Sequence, residues 1–134
     1  MFNSTKYINK LLLHLEENLS DIPNDLEVIT KYPPNYISYP LASTSVTVSL
    51  KKIDFITISA DPAGTIEILI EIFTARDRGY SVNRNLVDQV INALLSFDGY
   101  DFSGITIGNS VFNRISSAIC TSVVASVNFG ELPA

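Results

Sequence analysis

The sequence predicts an α+β fold: one domain, a mostly antiparallel or mixed β-sheet, and two amphipathic helices packed on it. Three observations lead there. The chain carries 16 Ile, 10 Val and 9 Thr among 134 residues, a β-branched loading that favours pleated, half-buried surface. Two stretches repeat their apolar residues with the helical period, and the rest alternate with period two. The alternating stretches come in runs rather than one by one between helices, which opposes a parallel βαβ sheet.

Taken in order, the first helix spans about 4–20. Ile8, Leu11, Leu12, Leu15, Leu19 and Ile22 share one face, and Lys10, Glu16 and Glu17 take the wet side. Asn3, Ser4 or Thr5 can cap it, and Asp21-Ile22-Pro23-Asn24 ends it, because the residue before proline is driven from the α region. A β-rich segment over 26–74 follows. Leu26–Thr30 suits a short strand, and the Tyr/Pro stretch from Lys31 to Pro40 suits only an edge strand or loop. Val46, Val48 and Leu50 alternate with Thr47 and Ser49, Ile53–Ala60 continues in strand-forming residues, and Asp61-Pro62-Ala63-Gly64 reads as a turn.

The clearest strand comes next. Ile66, Ile68, Ile70 and Ile72 form a pure isoleucine face, and Glu67, Leu69, Glu71 and Phe73 form a mixed one. A polar connection from Thr74 to Tyr80 leads into a second helix at about 81–96, with Leu86, Val87, Val90, Ile91, Leu94 and Leu95 on one side and a stop at Phe97-Asp98-Gly99. A closing hairpin occupies about 104–129. Gly108-Asn109 is a bulge or turn within its first strand, and Ile119, Thr121, Val123, Ala125, Val127 and Phe129 share one face of its second.

Composition narrows the function. Nine basic against fourteen acidic residues leave a net charge of −5, without a bulk footprint for nucleic acid or an anionic membrane. The short basic groups Lys51-Lys52 and Arg76/Arg78 read as surface charge, and the Tyr32/Tyr36/Tyr39 cluster, broken by prolines, as an irregular edge rather than a base-stacking platform. No apolar run exceeds three residues, too short to span a membrane, and the first ten residues lack the apolar core of a secretory signal. The single cysteine, Cys120, fits a reducing compartment.

Motifs for chemistry are missing. His14 reads as a rim histidine on the first helix and Cys120 as a small thiol in a strand, a pair far apart in sequence and unsuited to a zinc site. Glu67 and Glu71 share a face, yet four residues along a strand separate them by roughly 13 Å, too far to share one bond-breaking event. Asp77, Asp98 and Asp101 lack the ligand spacing of a calcium loop. The six glycines are scattered, with no phosphate-binding loop. What stands out is surplus apolar surface: Leu69 and Phe73 beside Ile70 and Ile72, Val124 opposite Val123, and the Tyr/Pro segment. Such surface marks a partner interface unless a helix covers it.

The element order and its rhythm resemble a family. An amphipathic helix, a Tyr-Pro segment entering β-rich hairpins, the strand Glu67–Thr74 (EILIEIFT), a polar loop, a helix ending Leu94–Phe97 (LLSF) and a final strand pair are similar to the tail terminator proteins of long-tailed bacteriophages and phage-like tail particles. The resemblance covers almost the whole chain and rests on no catalytic signature. It implies a structural protein, not an enzyme, with no cofactor or metal. It implies self-assembly into a ring, typically a hexamer, which caps the tail tube, ends its polymerisation and offers a surface to head-completion proteins. The location implied is the virion tail, assembled in the bacterial host cytoplasm, with no direct nucleic-acid readout and no membrane. Subunit or tube contacts are expected at Glu67, Leu69, Glu71, Phe73, Arg76 and Arg78. Another small phage head–tail or tail-completion protein, a cytoplasmic binding module, and an enzyme without a recognisable motif remain alternatives.

Overall fold

The computed structural model describes residues 2–19, 28–31, 44–59, 61–100, 102–114 and 117–130. Its order is α1 (Ser4–Asn18), β1 (Val28–Lys31), β2 (Thr44–Thr57), β3 (Ala63–Ala75), a 3₁₀ turn (Arg76–Arg78), α2 (Tyr80–Leu95), β4 (Phe102–Asn113) and β5 (Ala118–Phe129). The five strands form one sheet in the order β1-β2-β3-β5-β4. Only β1 and β2 run parallel; the other three pairings are antiparallel. The predicted α+β class is the observed one. The Tyr/Pro stretch beyond Lys31, together with Ile22, Leu26 and Asp101, lies outside the described residues.

Both helices pack on the isoleucine face. Ile66, Ile68, Ile70 and Ile72 are completely buried beneath Ile8, Leu11 and Leu15 of α1 and Leu86, Val90 and Leu94 of α2. Val46 and Val48 of β2 and Val123 and Val127 of β5 extend the same layer sideways. This is the period-two pattern meeting two 3.6-period stripes. Asn3 caps α1 by accepting the Lys6 N–H at 3.4 Å. The two helices are tied by His14, whose Nε2–H donates to the Ala93 carbonyl at 2.7 Å and whose Nδ1 accepts from Asn18 at 3.2 Å. The histidine is a rim residue, as predicted, and it also serves as a strut.

An aromatic seam closes one end of the core. Phe2 stacks against Phe129 and Phe55, with centroids 4.8 and 5.2 Å apart, and Tyr7 lies 5.1 Å from Tyr100. The Tyr100 hydroxyl donates to the Tyr7 carbonyl at 3.0 Å. Burial of the phenol, and secondarily Tyr7 beside it, pushes its pKa up to about 12.

Three local expectations need correcting. Ala63 and Gly64 are not turn residues; both are buried at the start of β3, and the chain reverses before them. Gly64 is required there because a Cβ would collide with the Asp54 carbonyl on the paired strand. Thr74, read as the start of a polar loop, is completely buried in β3. Leu95, assigned to the apolar side of α2, is 70% exposed, since one residue beyond Leu94 turns the side chain about 100° off the core stripe.

Candidate interaction face

The strand that fills the core with one face presents the other to the opposite side of the sheet. Glu67, Leu69, Glu71 and Phe73 all lie on that second face, half-buried, with no helix over them among the described residues. The alternative expectation, that a helix covers Leu69 and Phe73, is not met among the described residues.

Register turns this strand into a patterned surface. Phe73 sits between Ser45 and Cys120, and Cys120 in turn faces Val111. Glu71 sits between Thr47 and Ser122. Leu69 sits between Ser49 and Val124, and Val124 faces Thr106. Glu67 sits between Lys52 and Ser126. The face thus alternates apolar-centred and acid-centred rows across the strands, about 7 Å apart by the two-residue repeat. Small hydroxyls flank nearly every row.

Toward β2 the face is closed rather than open. Ser45 and Thr47 are buried, and the Thr47 hydroxyl has no hydrogen-bond partner among the described residues. At the other end of β3, the 3₁₀ turn lifts Arg76 and Arg78 into solvent. The Arg76 guanidinium lies 4.9 Å from the Phe112 ring centroid, and its backbone N–H donates to the Ser117 carbonyl at 3.1 Å. Of the six residues expected at an interface, Glu67, Leu69, Glu71 and Phe73 share one strand face, whereas Arg76 lies over Phe112, the partner of core-face Ile119, and so stands on the helix side of the sheet, with Arg78 exposed on the turn.

Cys120 sits within this face, half-buried, with its Sγ 3.8 Å from a Glu71 carboxylate oxygen. Burial first, and then the Glu71 charge, pushes the thiol up to about 12. The thiolate is the nucleophile, so Cys120 of the native protein should alkylate much more slowly than a free thiol at pH 8. The rate should rise with pH up to about 12. The folded pKa is above the unfolded one, so this group favours the native state below about pH 9 and loses that contribution between about 9 and 12. Iodoacetamide trapping followed by mass spectrometry across pH 7–10 measures the profile; labelling at free-thiol rates at pH 8 would contradict it.

Sequence reasoning missed a buried polar node on the helix side. Asn83, fully buried on α2, donates to Thr74 Oγ1 at 3.0 Å and to the Ile119 carbonyl at 3.1 Å. Its Oδ1 accepts from Thr121 Oγ1 at 2.5 Å, and Thr121 shares a 2.7 Å hydrogen bond with Ser110. The clue available was position: Asn83 stands three residues before Leu86, on the apolar stripe of its helix. Next to this node a groove of about 610 Å³ separates α2 from β4, lined among others by Tyr80, Arg84, Asp88 and Asn109.

The other titratable groups among the described residues are dispersed. His14 and Cys120 bind different partners, the Ala93 carbonyl and Glu71 respectively. Among the described residues no three His, Cys, Asp or Glu side chains are grouped to hold a metal ion, and no helix is long and apolar enough to cross a membrane. Lys52 pairs with Asp54 at 3.0 Å, which raises its pKa through the hydrogen bond and charge of Asp54, with Glu67 adding to it.

Fold and site together define a class: an α+β domain whose sheet fills a core with one face and displays a patterned second face. No protein-family model matches the chain, and no curated protein sequence does.

Proposed function

We propose that this chain is a structural subunit that caps a phage tail tube as a ring, ends tube polymerisation and presents a surface for head joining. The observation that carries the reading is the second face of β3 and β5, with no helix over it among the described residues, where apolar-centred and acid-centred rows alternate and an arginine-bearing turn follows. A sheet whose opposite face already fills the core has no folding need for Leu69 and Phe73. Interfaces combine such apolar anchors with Arg, whose planar guanidinium bridges to carboxylates. A ring requires heterologous contact. Arg76 or Arg78 of one copy would then meet Glu67 or Glu71 of the next. The tail terminator resemblance supplies the biological setting, and tube, tape-measure and portal genes beside this one would support it; a metabolic operon would oppose it.

The test is the double variant Phe73→Ala with Arg78→Glu. Phe73 is half-buried and Arg78 exposed, so the monomer should keep its far-UV signature. Truncating a working anchor costs about 2 kcal/mol or more of contact energy. Electron microscopy of phage carrying the variant should then show overlong tails. Tails of normal length with the variant incorporated would remove this surface as the working interface.

A further inference from the structure

We infer that the outer edge of β4, which pairs with no strand among the described residues, is a self-pairing edge, at which β4 of a second copy of this chain adds antiparallel across a two-fold axis. Among the described residues the sheet has three unpaired edge segments, and they differ in how they are protected. The outer strand β1 is only four residues long, and very short edges pair poorly. The part of β2 beyond β1 carries Lys51, Lys52 and Asp54, all exposed, with the last two ion-paired, and charged edge residues oppose strand addition. By contrast, β4 has twelve residues, FSGITIGNSVFN, with no charge and no proline. Ile107 and Val111 on it are 51% and 59% exposed, and β5 occupies only one of its sides.

The occupant follows from that contrast. An uncharged edge accepts an uncharged strand without leaving a charge unpaired, and of the edges among the described residues only β4 offers one. Its bulge sets a self-consistent register. Gly108 and Asn109 together face the single residue Ser122, so alternation switches at the middle of the strand. Ile105, Ile107, Ser110 and Phe112 pair with core-face residues of β5, whereas Thr106 and Val111 pair with Val124 and Cys120 of the other face. An antiparallel two-fold centred between Gly108 and Asn109 then sets Ile105 opposite Phe112 of the other copy, Thr106 opposite Val111, and Ile107 opposite Ser110. Every pair is face-matched, and Gly108 lets the backbones approach at the axis. The two five-stranded sheets would join into one continuous sheet with all the helices on the same side. This contact is isologous. It uses the edge strand, not the β3 face, so it stands or falls independently of the ring reading.

The test uses the full chain in a Cys120→Ser background, with Thr106→Cys and Val111→Cys made as separate variants. Directly opposed residues of antiparallel strands bring Cβ atoms to about 4.5–5.5 Å, within reach of a disulfide after slight adjustment. Under mild oxidation the 1:1 mixture should give the cross-linked dimer, and each variant alone should not. In parallel, sedimentation of the wild type up to about 1 mM, where even a millimolar contact populates the dimer, should show dimer. Ile107→Lys should weaken that association roughly tenfold or more while leaving the circular dichroism unchanged. A wild type that stays monomeric, a mixture that does not cross-link, single variants that cross-link as well as the mixture, or an Ile107→Lys variant that associates normally would each overturn the proposal. Loss of dimer on changing Lys51 or Lys52 instead would assign the contact to β2.

Discussion

Ile70→Ala should destabilise the protein by about 2–5 kcal/mol, read as a lower urea midpoint at unchanged slope. Ile70 is completely buried at the centre of the sheet, paired with Val48 on one side and Val123 on the other. All three belong to the layer under both helices. Removing its branched end leaves a hole lined by β-branched neighbours fixed in two strands, which relax poorly into it. The informative control is one residue away. Leu69→Ala deletes a comparable volume on the second face, where the side chain is only half-buried, and should cost about 1 kcal/mol or less. Equal losses for the two variants would mean that both faces of β3 are packed to the same degree, and the interaction face would lose its basis.

That asymmetry was legible in the sequence because a strand's side-chain period is two: four isoleucines at even positions and two glutamates among the odd ones admit one arrangement. The helices were legible to within two residues for the same kind of reason. The errors sit where local composition and tertiary context pull apart. Asp-Pro-Ala-Gly reads as a turn, yet Gly64 is a strand residue chosen for its missing Cβ against the Asp54 carbonyl. Thr74 reads as loop because threonine is polar, and its burial depends on an asparagine nine residues on in another element. The four proposed interface residues of β3 were legible as a set on one face, but their setting was not, and the helix-side placement of Arg76 over Phe112 was not legible either. That β5 inserts between β3 and β4, leaving β4 at the edge, is a matter of long-range pairing that no local pattern encodes.

Asn83→Ala should be nearly as damaging as the core truncation, costing roughly 2–4 kcal/mol, although it removes only a polar amide. The amide has two hydrogens, and they serve Thr74 Oγ1 and the Ile119 carbonyl at 3.0 and 3.1 Å; the Ile72 carbonyl, at 3.5 Å, is at the limit of reach. Its oxygen takes the Thr121 hydroxyl. Asn83 thereby joins α2 to the ends of β3 and β5 through groups that are all buried. Deleting it strands two acceptors and a donor away from water, at about 1–3 kcal/mol for each group left unpaired, less whatever water recovers from the adjoining groove. Asn83→Leu, which keeps the volume, should not rescue stability, and this separates lost hydrogen bonds from a lost filling. Asn83→Asp gives the sharper signature. A carboxylate cannot donate to Thr74 or Ile119, and burial favours its protonated form, so its folded pKa should stand above the unfolded value of about 3.9. A raised acid is stabilising below that value and loses the benefit as pH rises. The deficit of Asn83→Asp against the wild type should therefore shrink as pH falls from 7 toward 4, when the two proteins are compared by urea denaturation at each pH. A deficit independent of pH, or full stability in Asn83→Leu, would show that the amide fills space at this junction and does not hold it together.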